Sequence, residues 1–327
     1  MIKIGMLSAA HVHAATYAAC LEQIPGATLA GIWDDQPERG RALADRSGTP
    51  FFEDVAALLA EGLDGIIICS ENLLHRPLTE LASRHTRHIL CEKPIATTLE
   101  DARAMIDVCA AADVKLQIAF PMRFSPPVQG LKQLLVDEAL GRIWSVQTTN
   151  HGTMPGGWFS NPELAGGGAV MDHTVHVVDL LRWFWGAEVT EVYAEVGAGL
   201  LHPGVTIDDA GILSFKLSTG AYGTLDASWS RPAAFPTWGD VTIEVVGEKG
   251  VARLDAFKQH LAVYSNRATK AQWVNWGSDT DLALIRDFVQ MIVEDRAPSI
   301  PGEDGLKALE VTLAAYRSAE AGRPIQI

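Results

Sequence analysis

The sequence predicts an α/β domain with a doubly wound parallel sheet, followed by an α+β domain with a large, mostly antiparallel, open-faced sheet. Residues 1–121 alternate short apolar, β-branched runs with amphipathic helical stretches, as expected where helices cover both faces of a parallel sheet. Two adjacent prolines, Pro126 and Pro127, interrupt that alternation. Beyond about residue 141, alternating strands and the turn sequences LSTGAY and GEKGVA dominate, which favours antiparallel pairing.

The first domain is predicted to span residues 1–121 and to contain five strands. Each strand is a short apolar run, and an amphipathic run, LEDARAMIDVCAAADV (99–114), separates the fourth from the fifth. The five runs are IKIGML (2–7), TLAGIWD (28–34), DGIIICS (64–70), RHILCEK (87–93) and KLQIAF (115–120). Ligands bind at the carboxyl ends of strands in open α/β sheets, so the residues that follow these runs are the candidates for a binding site.

The second domain is predicted to span residues 122–327. Its strands are RIWSVQTTNHG (142–152), VTEVYAEVG (189–197), AGILSFKLS (210–218), AYGTLDASWS (221–230), VTIEVVG (241–247), GVARLDA (250–256) and HLAVYS (260–265). Its helices are VQGLKQLLVDEAL (128–140), VMDHTVHVVDLLRWFWG (170–186), DLALIRDFVQMIVED (281–295) and EDGLKALEVTLAAYRSAEAG (303–322). We expect these helices on one side of the sheet. The interpretation leaves open whether the C-terminal helix, 303–321, packs back on the first domain.

Composition and charge exclude several classes of partner. The 327 residues carry a net charge of −14, which argues against nucleic acid or an anionic membrane, because both require clustered Lys and Arg. No apolar run approaches the ~20 residues of a membrane span. The start, MIKIGML, lacks the long apolar segment of a signal peptide, so we expect a cytoplasmic protein. The four cysteines form no close CxxC pair and are expected to be buried free thiols.

The loop SAAHVHA, after the first strand, bears on whether a dinucleotide binds. The dinucleotide fingerprint has three glycines, and here those positions are Ser8, Ala10 and His13. Small Ser8 and Ala10 still let backbone N–H groups reach a phosphate, and Asp34 follows His13 by 21 residues, near the position that binds ribose hydroxyls. On these features alone, a dinucleotide site and an ordinary α/β turn remain equal alternatives. A further hypothesis is that His11 donates a hydrogen bond to a phosphate oxygen in place of glycine.

The run ILCEKPIATT places charged residues at the end of the fourth strand. Pro94 disfavours helical backbone at Lys93, so the Lys93 amine can project over the end of the sheet, where it is suited to proton or alkoxide chemistry. The alternative is a surface Lys–Glu pair before a helix, which contributes little.

The run GGGAVMDHTVHVVDLLRW contains the second candidate constellation. Its glycines, Gly166 to Gly168, permit close backbone approach to a ligand or a neighbouring chain. Asp172, His176 and Asp179 are spaced i, i+4 and i+7, so they share one helix face. A carboxylate one turn from a histidine suits a general base. The alternative is a buried Asp–His pair with a structural role.

Other catalytic classes have weaker support. His151, His173 and His176 are residue types that bind zinc, but no second ligand pair has metal-type spacing, so we expect no metal site. A serine hydrolase is disfavoured because the sequence lacks a G-x-S-x-G elbow.

Four stretches together resemble the Gfo/Idh/MocA oxidoreductase family: CEKPIATTLEDA, MRFSPPV, GGGAVMDHTVHVVDLLRWFWG and GEDGLKALEVTLAAYRSAEAGRPI. The resemblance covers essentially the whole chain, and the Glu-Lys-Pro triplet is specific in combination with the Asp-x-x-x-His helix. It implies a Rossmann domain followed by a mostly antiparallel sheet domain, with NAD or NADP in the cleft. It also implies oxidation of a sugar, polyol or inositol hydroxyl, or the reverse reduction. NAD is favoured over NADP because Asp34 and Asp35 would repel a 2′-phosphate.

The resemblance further implies the site residues. Lys93 would stabilise the developing alkoxide, His176 would take the hydroxyl proton, and Asp172 would orient His176 and the substrate. The implied cofactor contacts are Ser8, Ala10, His11, Val12, Asp34, Asp35, Ser70, Asn72, His75, Glu92 and Lys93. The implied substrate contacts are Arg123, His151, Trp158, Asp172, His173 and His176, with Arg231 weaker and with Trp158 equally explained as a packing residue. The chain departs from the family at the missing glycines and at Pro121, where asparagine is usual.

Three functions are compatible with these residues. The first is an NAD-dependent dehydrogenase, and the second is an NAD-using glycoside-cleaving enzyme of the same family with no net redox change. The third is a non-catalytic nucleotide or sugar sensor, against which the intact Lys93, Asp172 and His176 argue. The resemblance and the long antiparallel strands also suggest a homo-oligomer, a dimer or tetramer, joined through the sheet face.

Overall fold

The computed structural model describes residues 1–263, 272–275 and 277–327. In chain order the elements begin with β1 (Ile2–Leu7), α1 (His13–Glu22), β2 (Ala27–Trp33), α2 (Pro37–Ser47), β3 (Phe51–Phe52), α3 (Val55–Leu59), β4 (Gly65–Ile68), α4 (His75–Ala82), β5 (His88–Cys91), α5 (Leu99–Ala111) and β6 (Lys115–Ile118). They continue with α6 (Pro126–Val136), β7 (Ile143–Gly152), α7 (Pro162–Ala165), α8 (Ala169–Trp185), β8 (Val189–Ala198), β9 (Asp208–Leu217), β10 (Tyr222–Ser228), β11 (Gly239–Gly247), β12 (Val251–Asp255), β13 (His260–Val263), β14 (Gln272–Asn275), α9 (Thr280–Glu294), α10 (Gly302–Ala321) and β15 (Ile325–Gln326).

The first unit is built on a parallel sheet of six strands in the order β3-β2-β1-β4-β5-β6. The strands β4 and β5 are buried at every residue, including Ile66, Ile67 and Ile68 in succession, as in a sheet covered on both faces. The predicted doubly wound fold is therefore confirmed. Parallel pairing brings the carboxyl ends of β1, β2, β4 and β5 to one edge of the sheet, so the loops that follow them can form a single site.

The division of the chain differs from the predicted one. The first unit comprises Met1–Pro121, Glu163–Gly166 and Asp279–Leu306, and the second comprises Met122–Pro162, Gly167–Ser278 and Lys307–Ile327. Helix α9 belongs to the first unit because its apolar side chains pack there: a Cβ built on Gly65 would meet Ile292 and Phe288. The predicted domain of residues 122–327 stays a prediction, and the two compact units differ from it in placing residues 163–166 and 279–306 with the first unit. Helix α10 belongs to the first unit through Leu306 and to the second from Lys307.

The second unit is built on a seven-stranded sheet in the order β12-β11-β7-β10-β9-β8-β15. All its neighbouring strands are antiparallel except β7 and β10, which run parallel with Ser145 opposite Tyr222. Helix α8 packs against β7, β9 and β10. Leu213 and Leu225 are buried on that face, whereas Ile212 and Tyr222 are exposed on the opposite one. The predicted, mostly antiparallel sheet is confirmed.

Smaller predictions have separate outcomes. Of the predicted strand HLAVYS (260–265), His260–Val263 form β13, which pairs with β14, while residues 264 and 265 lie outside the described residues. The four cysteines are buried and free, as predicted. Among the described helices, none combines the length and apolarity that crossing a bilayer requires.

Candidate active site

The loop between β1 and α1 makes a tight turn although it contains no glycine. Ser8 has a φ of +70°, a left-handed backbone conformation that residues other than glycine rarely adopt. The Ser8 hydroxyl offsets this strain by accepting the Ala10 N–H at 3.2 Å, and the Ala9 N–H donates to Asp34 Oδ2 at 2.6 Å. The loop is therefore held by the Ser8 hydroxyl and by the Asp34 carboxylate, and Val12 is exposed at the start of α1.

Asp34, at the end of β2, is buried and saturated with hydrogen bonds. Its carboxylate accepts the Gln36 N–H at 2.7 Å, Arg39 Nε at 2.9 Å and Arg39 Nη2 at 2.8 Å. Arg39 also pairs with Asp35 and Glu71, at 2.8 and 2.9 Å. Burial raises the pKa of Asp34, but the hydrogen bonds from Arg39 and the main chain lower this pKa by more, so the net change is downward. Arg39, which the sequence analysis did not identify, thus pairs with Asp34, the carboxylate predicted to bind ribose.

Residues after β4 form the next part of this edge. Ser70, Asn72 and His75 are all buried. Asn72 Nδ2 donates to a main-chain carbonyl at 2.8 Å, and His75 Nδ1 lies 2.9 Å from the Pro94 carbonyl oxygen. Within the described part of the chain, Asn72 Oδ1 and Glu71 Oε2 are buried without a hydrogen-bond partner. Such atoms can accept hydrogen bonds from a ligand or from water.

Glu92 and Lys93 follow β5 and are 0 % and 4 % exposed. Glu92 Oε1 lies 3.0 Å from His13 Nδ1 and 3.7 Å from His11 Nδ1, and Glu92 Oε2 accepts the Lys93 N–H at 3.1 Å. Burial raises the pKa of Glu92, but the two histidines and Lys93 lower it far below its usual range, so the carboxylate is ionised. His13, in the third glycine position, is thus a partner of the Glu-Lys-Pro triplet that the sequence analysis missed.

His11, His13 and Glu92 are also residue types that bind metals, with one donor atom of each within 4.8 Å of the others. However, His11 Nδ1 accepts the His13 N–H at 3.2 Å, so its lone pair is engaged. His13 Nδ1 is in turn hydrogen-bonded to Glu92 at 3.0 Å. These contacts describe an imidazole–carboxylate pair.

Helix α8 begins against the carboxylate of Asp208 on β9. Asp208 accepts the Gly168 N–H at 2.7 Å, the Val170 N–H at 2.8 Å and the Tyr316 hydroxyl at 2.9 Å. A Cβ on Gly168 would lie 1.9 Å from the Asp208 main-chain oxygen, so the close approach requires glycine. The last glycine of the run thus fixes the start of the helix that carries the two candidate catalytic groups.

Asp172 and His176 lie one turn apart on α8 and are 6 % and 8 % exposed. Asp172 Oδ2 accepts the indole N–H of Trp229 at 3.2 Å and lies 3.3 Å from His173 Nε2. The fully buried His173 ring makes an edge contact with Trp238 at a centroid distance of 5.2 Å. Trp229, at the end of β10, was not identified from the sequence, because only the sheet brings it to α8.

Arg123 is held by Asp179 within the second unit. The ion pair is bidentate, with Nε to Oδ2 at 2.9 Å and Nη2 to Oδ1 at 2.5 Å, and both side chains are buried. Asp179 lies three residues after His176, so the pair stabilises the turn of α8 that presents His176. Arg123 therefore has an anchoring role on α8, and its predicted contact with substrate stays a prediction.

Trp158 and His151 were also predicted to contact substrate. Trp158, in the 3₁₀ helix Gly157–Ser160, is half-buried and stacks on Phe159 at a centroid distance of 3.9 Å, a contact in line with the packing alternative. On β7, Asn150 donates to a main-chain carbonyl of α8 at 3.1 Å. Since successive strand residues point to opposite faces, His151 points away from α8. The predicted substrate contact of His151 stays a prediction, and it would have to be made from this other face of the sheet.

His151 instead belongs to an ion network on the other face of the sheet. Its Nδ1 lies 3.0 Å from Asp240 Oδ1 and its Nε2 lies 3.2 Å from Asp226 Oδ2. Arg231, the weaker substrate candidate, donates to Asp240 from Nε at 3.0 Å. Burial lowers the pKa of His151, but hydrogen bonds and charge from the two carboxylates raise this pKa by more, to about 9.

This network predicts a loss of stability at alkaline pH. The folded chain keeps the His151 proton until about pH 9, whereas the unfolded chain releases it near pH 6.5. The contribution of protonated His151 to the free energy of unfolding is therefore complete below pH 6.5 and is lost as pH rises through about 9. We expect the free energy of unfolding to be about 1–3 kcal/mol lower at the alkaline end of this range, after a discount for the partial exposure of Asp226. Urea unfolding at the two ends of this range measures the difference. His151→Gln should remove most of it, and a difference that survives this change must come from another group.

Two family models match the chain. Residues 2–120 match the one described as "Oxidoreductase family, NAD-binding Rossmann fold". Residues 128–253 match the one described as "GFO/IDH/MocA C-terminal domain". The interval between the two matches contains the boundary between Pro121 and Met122 that separates the two units.

Individual proteins resemble the chain along nearly its whole length. The myo-inositol 2-dehydrogenase of Thermotoga maritima is 27 % identical over 341 residues, which cover 100 % of this chain and 98 % of that protein. The D-apiose dehydrogenase of Rhizobium rhizogenes is 27 % identical over 322 residues, which cover 94 % of this chain and 92 % of that protein. The crystal structure of GenD2 from gentamicin A biosynthesis, in complex with NAD, superposes with a TM-score of 0.90 at 24 % identity and covers 100 % of this chain and 96 % of that one. At this identity the superposition supports the fold alone.

Proposed function

Because the chain belongs to the Gfo/Idh/MocA oxidoreductase family, as its motifs indicated, we propose that it is an NAD-dependent dehydrogenase of a sugar, polyol or inositol hydroxyl. The reverse activity is reduction of the corresponding ketone. Relatives named as dehydrogenases of myo-inositol and D-apiose support this substrate class. The observation that carries the proposal is the burial of Lys93 after β5 and of Asp172 and His176 on α8, since these groups suit acid–base chemistry on a hydroxyl.

The first unit offers groups that fit NAD. The strand order places the loops after β1, β2, β4 and β5 along one edge, the position of dinucleotides in this kind of sheet. Glu71 Oε2 and Asn72 Oδ1, both buried and unpartnered in the described part of the chain, can accept hydrogen bonds from ribose hydroxyls or a carboxamide. Asp34 can take the ribose role once Arg39 moves aside. Bound NAD would supply the hydride acceptor.

The protein supplies proton transfer and charge. In the proposed oxidation, the O–H bond of the substrate breaks as His176 takes the proton, and the C–H bond breaks as hydrogen leaves with two electrons, so that a carbonyl forms. Lys93 stabilises the negative charge that develops on the oxygen. Asp172, held by Trp229, orients the substrate and His176.

A substrate screen tests the proposal directly. Purified protein is assayed with NAD against a panel of polyols, inositols and sugars by NADH absorbance, and mass spectrometry identifies any nucleotide that co-purifies. Net NADH formation with a member of the panel supports the dehydrogenase. Bound NAD with glycoside cleavage but no NADH release would instead establish the glycoside-cleaving alternative. Ligand binding without any turnover would establish a sensor.

Asp34 and Arg39 together predict how cofactor preference can be changed. Asp34→Ser removes a carboxylate that repels a 2′-phosphate and releases Arg39 from one of its three carboxylate partners. The guanidinium, still held near this edge by Asp35 and Glu71, is suited to bind that phosphate. We expect the ratio of kcat/KM for NADP to that for NAD to rise by roughly 10- to 100-fold. Steady-state assays with both cofactors measure this ratio. The exposed Asp45→Ser should leave it unchanged, and a wild type that prefers NADP would contradict the assignment.

We also propose a cytoplasmic homo-oligomer, a dimer or tetramer joined through the sheet face that carries Ile212 and Tyr222. These side chains are 59 % and 61 % exposed on a face that α8 does not cover, and exposed apolar side chains on one surface favour association. The net charge of −14 supports a small-molecule partner rather than nucleic acid or a membrane. Light scattering after size-exclusion chromatography tests the assembly, and a monomer at micromolar concentration would contradict it.

A further inference from the structure

His13 is the first residue of α1 and takes the position of the third fingerprint glycine, whose usual purpose is close packing of helix and strand. Here an imidazole fills that space. Its Nδ1 lies 3.0 Å from Glu92 Oε1 and 3.3 Å from the Tyr17 hydroxyl. The His13 side chain is 27 % exposed, whereas that of Glu92 is fully buried. Histidine at this position, where the fingerprint has glycine, therefore adds a polar contact to the buried Glu92 carboxylate.

Glu92 transmits this contact to Lys93. One carboxylate oxygen faces His13, and the other accepts the Lys93 N–H at 3.1 Å. The following residue is held from α4, because His75 Nδ1 lies 2.9 Å from the Pro94 carbonyl oxygen. The main chain that carries the Lys93 amine is thus fixed on one side by Glu92 and on the other by His75.

The charge around His13 favours its protonated form. The acidic groups that act on it are Glu92, after β5, and Asp281, in the first turn of α9; Lys93 opposes them, and His11 and Tyr17 are its ring neighbours. Burial lowers the pKa of His13, and Glu92 and Asp281 raise this pKa by more, so it lies above the ordinary histidine value. The shift favours an imidazolium–carboxylate pair at low pH, and the contact becomes a weaker neutral–charged hydrogen bond as pH rises and His13 loses its proton.

We propose that His13 is a positioning residue for the reaction: its imidazole holds Glu92, and Glu92 fixes the main chain of Lys93, whose amine acts on the substrate oxygen. This inference rests on the proposed role of Lys93. The loop after β1, which lacks glycine, would then do more than contact the cofactor, because its His13 would position Glu92 and Lys93 at the end of β5. It also makes turnover dependent on a proton carried by a partly exposed side chain.

Three variants test this role through the pH profile of kcat. His13→Asn keeps an N–H donor for Glu92 but cannot titrate, so its kcat should lie below that of the wild type at pH 6 and should stay flat where the wild type falls. His13→Ala removes the donor and should lower kcat by roughly 10- to 100-fold at pH 6. The exposed His85→Asn is the matched control and should keep the wild-type kcat and profile.

The possible failures of this proposal and of the proposed function are distinct. A wild-type kcat and pH profile in His13→Asn would overturn the positioning role while Lys93→Ala remains inactive. Full activity in Lys93→Ala would overturn the proposed function itself. Thermal unfolding monitors the fold of every variant. If His13→Ala does not fold, His13→Gln replaces it, since glutamine also supplies an N–H donor without a titrating group.

Discussion

Replacing His176 by alanine is expected to lower kcat by about 10²- to 10⁴-fold, the usual contribution of a general base. His176 is 8 % exposed on α8, one turn from Asp172, so solvent cannot readily take over proton transfer. The loss should appear in kcat and in kcat/KM together, because the interaction is made as the substrate proton moves. Steady-state NADH formation at saturating cofactor measures it.

Two controls separate this loss from a folding defect. Helix α8 is anchored at Asp208 and at Arg123, so His176→Ala should keep its NAD affinity and a cooperative thermal transition. Exogenous imidazole should restore part of the rate, since it can occupy the vacated space and accept the proton. A variant that folds, binds NAD and retains at least a third of the wild-type kcat would remove His176 from the mechanism.

Lys93→Ala is expected to lower kcat by about 10²- to 10³-fold, comparable to the loss of one donor that stabilises a developing oxyanion. Lys93 is 4 % exposed, and in such surroundings its charge acts on the substrate oxygen with little screening. Lys93→Arg should rescue little, because a planar guanidinium cannot replace a compact ammonium. Stopped-flow measurement of a single turnover tests whether the chemical step itself is slowed.

The control for this prediction is the exposed Lys249→Ala, which should retain the wild-type rate. Isothermal titration should show that Lys93→Ala still binds NAD, since the proposed role concerns the substrate oxygen. Loss of cofactor binding with an unchanged single-turnover rate at saturation would instead assign Lys93 to the cofactor.

Local patterns were sufficient to predict most elements of both sheets. Continuous apolar runs predicted β1, β2, β4, β5 and β6, because such runs are typical of strands covered on both faces; β4 and β5 are buried at every residue. The two-residue strands β3 and β15 have too little pattern to be recognised. The assignment of α9 to the first unit was missed, since its packing on β1 and α1 joins segments more than 200 residues apart.

The candidate site was predictable only where the residue type itself indicates chemistry. Lys93 before a proline and Asp34 after a strand could be found in this way. Arg39 could not, because its pairing with Asp34 and Glu71 depends on the fold bringing the residues after β2 and β4 together across the end of β1. Asp208 and Trp229 act on α8 from β9 and β10. These contacts form only when the sheet is folded, so the spacing of residues along the sequence does not predict them.

The parallel pairing of β7 with β10 has a consequence for synthesis of the chain. Both sheet neighbours of β7, namely β10 and β11, are translated only after α8, β8 and β9. A nascent chain therefore carries β7 with two unpaired edges until β10 has emerged, at residue 228, and with one until β11 has emerged, at residue 247. Such edges invite pairing with other chains. Truncation before Tyr222 should consequently yield an insoluble product, whereas removal of β15 costs only one short outer strand.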